Sequence, residues 1–193
     1  MNKVKKEFIS FGTLGYQDYE TLIEKKFIYS KNKIPINSLQ PASIDLRLGS
    51  TAYEISASFL AIRETVESKL KRFKLAKINI ENGFLFQKNI TYLVELQEIL
   101  NLNKKISGKC NPKSSTGRLD IFCRAVTDNN TEYEIIKKGY KGKIYLEITS
   151  KTFDIVFTKG DKLNQLRLKN GNFNYLSDSE LGKLYKKNPF LFN

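Results

Sequence analysis

Between Asn111 and Asp120 the chain gathers Lys113, Ser114, Ser115, Gly117 and Arg118 into six residues. Two cations, two adjacent hydroxyls and a glycine are the equipment for gripping phosphate oxygens from several sides. Further on, Gly139-Tyr140-Lys141-Gly142-Lys143-Ile144-Tyr145-Leu146-Glu147 carries one carboxylate into an apolar, alternating run. As a strand, this run places Tyr145 and Glu147 on one face and Ile144, Leu146 and Ile148 on the other. Glu147 can then point at a pocket, where partial burial suits a carboxylate to moving protons. The two runs together describe an anionic, nucleotide-like ligand held at one end and acted on by a buried Glu at the other. Each has a plainer reading, since Ser-Ser pairs and Gly-Arg steps are common in turns and most isolated strand glutamates face solvent.

Composition removes several kinds of chemistry. The chain has no histidine, so it cannot build the zinc site of the H-x-E…P-C-x-x-C deaminases, nor a serine–histidine nucleophile. Cys110 and Cys123 are too few for a disulfide framework and fit no CxxC metal pattern, which points to a reducing cytoplasm. The start of the chain offers Lys3, Lys5 and Lys6 but no apolar signal core, and no run approaches membrane-spanning length. A net charge of +13, from 33 basic and 20 acidic residues, invites a nucleic-acid reading. Yet the lysines fall in scattered pairs such as Lys25-Lys26, Lys104-Lys105, Lys137-Lys138 and Lys186-Lys187, without the aromatic interleaving of single-strand binders. The expectation is a solvated basic surface that steers small polyanions, with neither a nucleic-acid nor a membrane partner.

The elements that must position these residues are mostly short strands. Tyr19, Leu22, Ile23 and Phe27 recur at helical spacing, predicting a helix over Tyr16 to Phe27, followed by a polar connector from Lys31 to Leu39. Strands are expected at Ile44 to Leu48, Ala52 to Ala57, Phe84 to Phe86, Thr91 to Leu96, Lys105 to Cys110, Leu119 to Val126, Ile144 to Thr149, Asp154 to Phe157 and Lys162 to Leu168. Glu64 to Leu75 reads as a charged, exposed excursion. Ser177 is placed to cap a last helix reaching Leu184, which Asn188-Pro189 would stop. The 193 residues are expected to form one domain, burying roughly 70% of the unfolded surface. Within it lie an N-terminal helix and connector (1–38), a β body (39–170) and a tail (171–193), and the spacing suggests an antiparallel barrel or jelly roll.

The first run resembles the Ser-Ser-x-x-Arg loop of the dCTP deaminases, members of the trimeric deoxyuridine triphosphatase-like superfamily. The second resembles their Gly-aromatic-x-Gly-x-Ile-x-Leu-Glu strand. Leu39-Gln40-Pro41-Ala42-Ser43-Ile44-Asp45-Leu46-Arg47-Leu48-Gly49 is similar to a segment near the family's start, and Gly160-Asp161-Lys162-Leu163-Asn164-Gln165-Leu166 to its late Gln-Leu strand. The four segments keep the family's order from residue 39 to 166.

The resemblance implies a mainly β fold of the β-clip type, a distorted jelly-roll barrel with a short N-terminal and a C-terminal helix, assembled as a homotrimer with sites between subunits. It implies hydrolysis of dCTP to dUTP and ammonia, feeding thymidylate synthesis, with Mg²⁺ riding on the triphosphate and no zinc. Glu147 would be the general base, Arg118 the cation beside the catalytic water and Ser114 a water-placing hydroxyl. Lys113, Ser115, Gly117, Tyr140 and Gln165 would contact substrate, while Gln40, Ser43, Asp45 and Arg47 are read as structural or subunit-contact residues. Lys113 stands where many deaminases have Arg, replacing a fork by a point charge. Lys137 stands where the family has a sugar-contacting Asp, leaving Asp128, Glu132 or Glu134 to supply that carboxylate. The family's closing C-terminal segment is also missing, and the match is best to the first half of double-length bacterial deaminases, so a second polypeptide is expected to complete the site. A deoxyuridine triphosphatase or bifunctional enzyme, and a catalytically weak nucleotide-binding subunit, are the competing readings.

Overall fold

The computed structural model describes residues 9–172 and 176–188. The early lysines and Pro189 lie outside the described residues. In chain order the elements are β1 (Gly12–Thr13), α1 (Tyr16–Glu24), β2 (Ile28–Tyr29), β3 (Leu39–Gln40), β4 (Ser43–Leu46), β5 (Leu48–Ile55), α2 (Val66–Phe73), β6 (Lys74–Asn79) and β7 (Phe84–Phe86). There follow β8 (Thr91–Asn101), β9 (Ile106–Pro112), α3 (Ser114–Arg118), β10 (Ile121–Thr127), β11 (Ile135–Ile136), β12 (Lys141–Ser150), β13 (Ile155–Phe157), β14 (Asn164–Asn170) and α4 (Asp178–Lys187). The expected mainly β, antiparallel architecture is present. No helix among the described residues is long and apolar enough to cross a membrane.

Two antiparallel sheets share the core. The first runs β11-β9-β14-β4-β3, with β1 on β14; the second runs β10-β12-β8-β5-β6, with β2 on β8. Ile44, Leu46, Leu166 and Leu168 from the first meet Val94, Leu96, Leu146 and Ile148 from the second in one apolar cluster. The second sheet also buries its other face. There Leu93, Val126 and Tyr145 pack with Phe59, Val66 and Leu70 in a separate cluster.

That second cluster explains a departure from the sequence reading. Glu64 to Leu75 is not an exposed excursion: it contains α2, whose Val66 and Leu70 are its two buried residues, four apart on one face. Thr65 Oγ1 caps it by accepting from the Ser68 N–H at 3.1 Å, and Asp128 Oδ1 accepts from the Val66 N–H at 2.7 Å. Too few apolar positions mark this helix for periodicity to reveal it. Capping chemistry did mark α4, where Ser177 accepts from the Glu180 N–H at 3.3 Å as expected.

The run expected as one strand from Ile44 to Leu48 is broken at Arg47, with β4 in the first sheet and β5 in the second. Arg47 sits buried at this crossing. Its Nε donates to Glu98 Oε1 at 2.6 Å and its backbone N–H to Glu98 Oε2 at 2.8 Å. Its terminal nitrogens reach Ser30 Oγ and the Lys33 carbonyl. Glu98 is 0% exposed, and burial pushes its carboxyl above the usual range against the opposing pull of Arg47. Two residues on, Gly49 admits no side chain, because a Cβ there would lie 2.4 Å from the Glu95 carbonyl oxygen. Arg47→Ala strands the Glu98 charge, so it should cost about 3–5 kcal/mol in urea unfolding at pH 7. Glu98→Gln, which keeps acceptor and shape, should cost clearly less.

Candidate active site

The Lys113 to Arg118 run is fastened by one carbonyl. Leu163 O accepts from the Lys113 N–H at 2.9 Å, from Thr116 Oγ1 at 3.0 Å and from the buried Cys123 thiol at 3.6 Å. The loop expected here is one short turn of helix, α3, with Thr116 inward and Ser114, Ser115, Gly117 and Arg118 exposed. Burial pushes the Cys123 thiol up to about 12, so it takes part as a packed, unreactive group.

Pairing of β14 with both β4 and β9 sets Gln165 beside Asp45 on one side and Asn111 on the other. Lys113, Ser114 and Gln165 consequently line a single cleft of about 440 Å³ with Gln40, Ser43, Asp45 and Arg167. Ser43 Oγ donates to Gln165 Oε1 at 3.1 Å. Lys113 Nζ pairs with Asp45 Oδ2, while Asp45 Oδ1 is buried and accepts no hydrogen bond among the described residues. Asp45 is thus the counter-charge that Lys113 must leave to grip an anion. Arg167 also borders an adjoining groove of about 640 Å³ walled by Lys109, Lys137, Lys138 and Lys169, so the lysines are less evenly scattered than their sequence positions suggest.

Glu147 lies on the α2-covered face of β12 with Tyr145, as alternation requires, and is 2% exposed. Its cross-strand partner on β10 is Arg124. Arg124 Nε donates to Glu147 Oε1 at 2.9 Å, and its guanidinium stacks 3.6 Å from the centroid of the Tyr133 ring. Burial raises the Tyr133 hydroxyl first, and the Glu147 charge adds to it. Sequence reasoning passed over both residues. They belong to no motif, and the only signal was Arg124's place in an expected strand, which becomes a contact once the β10–β12 register is known.

Within the chain, the structure does not bring all the expected site residues together. Glu147 is not among the residues lining the Lys113 cleft. Arg118 makes no hydrogen bond or ion pair among the described residues. The Tyr140 hydroxyl is used within its own turn, donating to the Lys143 carbonyl at 2.6 Å and accepting from the Asp128 N–H at 3.3 Å. Lys137 is exposed and donates to the Asn129 carbonyl at 2.5 Å. Of the three carboxylates near it in sequence, Asp128 caps α2. Glu134 accepts from the Ala125 N–H at 2.7 Å and faces Asn164, with its carboxyl raised by burial. Glu132 alone remains exposed.

Residues 10–172 match the family model described as the N-terminal domain of 2'-deoxycytidine 5'-triphosphate deaminase. The chain belongs to the dCTP deaminase family. A dCTP deaminase of the dUMP-forming kind from Nanoarchaeum equitans (strain Kin4-M) is 26% identical over 149 residues, covering 70% of this chain and 72% of that protein. The crystal structure of 2'-deoxycytidine 5'-triphosphate deaminase from Agrobacterium tumefaciens superposes with a TM-score of 0.86 at 40% identity, over 92% of this chain and 52% of that one. This chain therefore spans about half the length of the Agrobacterium protein. The agreement in fold bears out the expected mainly β, antiparallel architecture as that of a dCTP deaminase.

The Lys113–Asp45 pair makes a prediction independent of turnover. Asp45→Asn frees the cation and should tighten binding of inorganic tripolyphosphate several-fold in calorimetry at low salt, whereas Lys113→Met should weaken it.

Proposed function

We propose that this chain catalyses hydrolytic deamination of dCTP to dUTP and ammonia with Glu147 as the proton-transferring group. The observation that carries the reading is Glu147 itself, a carboxylate 2% exposed in the family's signature strand and paired to a guanidinium. Glu147 takes a proton from water and passes it to N3 of the cytosine as hydroxide adds to C4. It then takes the proton of the new hydroxyl and hands it to the exocyclic amine. The C4–N bond breaks, ammonia leaves, and C4 keeps its oxygen as a carbonyl. With no histidine in the chain, the reading assigns no zinc, and Mg²⁺ arrives as part of the nucleotide triphosphate.

Lys113 and Ser115 bind the phosphates in this reading and Gly117 and Gln165 also contact the substrate, with Ser114 placing water. Lys113 lets go of Asp45 when a triphosphate offers it more charge. Arg118 acts from a neighbouring copy in a homotrimer, since it is exposed on α3 and makes no ion pair in its own chain among the described residues. A second polypeptide, corresponding to the half of the Agrobacterium protein this chain does not span, closes the site. The name of the Nanoarchaeum relative favours one further reading, in which dUTP is carried on to dUMP.

Incubation with dCTP and Mg²⁺, resolved by chromatography, separates the readings: accumulating dUTP supports deamination alone, dUMP supports the two-step reaction, and tight binding without turnover supports a nucleotide-binding subunit. Glu147→Gln should lower deamination by at least ~10²-fold while leaving nucleotide affinity within a few-fold. If Arg118 serves a neighbour, co-assembling Glu147→Gln chains with Arg118→Ala chains should restore part of the activity that either lacks. Equal inactivity of the mixture would place both groups in one subunit's site.

A further inference from the structure

We propose that Arg124, clamped by Tyr133, is the positioning residue for Glu147, setting which carboxylate oxygen is available for proton transfer; this rests on the deamination reading above.

Three features of the contact support it. The first is its source in the backbone. Arg124 and Glu147 face each other directly in the antiparallel β10–β12 ladder, where opposed side chains start about 4.5–5.5 Å apart at Cβ. Because β12 is also paired with β8, with Leu93 opposite Glu147, the carboxylate has an apolar neighbour on one side and the guanidinium on the other.

The second is the geometry of the pair. Nε, not the terminal fork, donates to Oε1 at 2.9 Å. A fork would engage both carboxylate oxygens. The side-on contact leaves Oε2 without a hydrogen bond among the described residues, and the two terminal nitrogens of Arg124 likewise. One oxygen is fixed and the other is left for water. Since a guanidinium stays protonated at every pH the fold survives, Arg124 can hold the carboxylate but cannot compete for the proton that Glu147 moves.

The third is what holds Arg124. Its guanidinium carbon lies 3.6 Å from the Tyr133 centroid and 5.2 Å from that of Phe122. Tyr133 itself packs against the cluster containing Leu93, Val126 and Tyr145. An arginine only 27% exposed and stacked on a packed ring has little rotamer freedom left, which fixes the carboxylate it touches. For a cation that touches the carboxylate itself, distinct from Arg118 beside the catalytic water, no neighbouring copy is needed. The chain supplies one of its own, from the strand next door.

The test compares the wild-type chain with Arg124→Lys, Arg124→Ala and Tyr133→Leu in ammonia release from dCTP. Misplacing the base should cut kcat on the order of 10²-fold in Arg124→Ala, with KM changed less than about 3-fold. Arg124→Lys, which keeps charge but loses the stacked plane, should fall between wild type and Arg124→Ala, and it stays measurable should the alanine variant unfold. Tyr133→Leu should lower kcat in the same sense. Added methylguanidinium should restore part of the Arg124→Ala rate and none of the Glu147→Gln rate, a response that a purely structural arginine would not show. Wild-type turnover with undiminished kcat in Arg124→Lys and Tyr133→Leu would overturn the positioning role alone. Absence of any wild-type turnover would overturn the deamination reading, and this inference with it.

Discussion

Burial of β12 on both faces is the constraint from which the site follows. A strand covered on one side by the inter-sheet core and on the other by α2 and its cluster has no solvent-facing side chains along its centre, so any charge carried there must be met by a partner. Glu147 meets Arg124, and the ladder that brings them together is the same one that closes the second sheet. Had α2 been the exposed segment its composition suggests, the face bearing Glu147 would be wet and the carboxylate ordinary. A helix with only two inward residues thus changes the chemistry of a strand it does not pair with.

The cleft at Lys113 is organised differently. There the sheet face is polar, Ser114, Ser115 and Arg118 are exposed with Lys113 half-buried beside them, and the fastening is done behind them by the Leu163 carbonyl and the β14 ladder. Rigid backing with a free front suits a site that must accept and release a highly charged molecule, while a desolvated, clamped carboxylate suits one that must move a proton. The cleft and the carboxylate obey opposite solvation rules and lie on different sheets.

How much of this was legible in the sequence differs from residue to residue. Glu147 and its face were readable because period-2 alternation is a local property, and Ser177 because capping is local too. The split at Arg47 was not, since alternation continues smoothly through it and only pairing partners reveal that one run serves two sheets. Arg124 and Tyr133 were invisible for the same reason: their meaning lies in register, which spacing along the chain does not encode. α2 was missed because its amphipathic face is only two residues deep.

The signature segment around Ser43 to Arg47 is, on inspection of its contacts, carpentry. Asp45 neutralises Lys113, Arg47 neutralises Glu98, and Ser43 tethers Gln165. These contacts brace the crossing between the sheets and the wall of the cleft whether or not anything is bound there. A match in that stretch therefore speaks for a shared framework and is silent about any reaction.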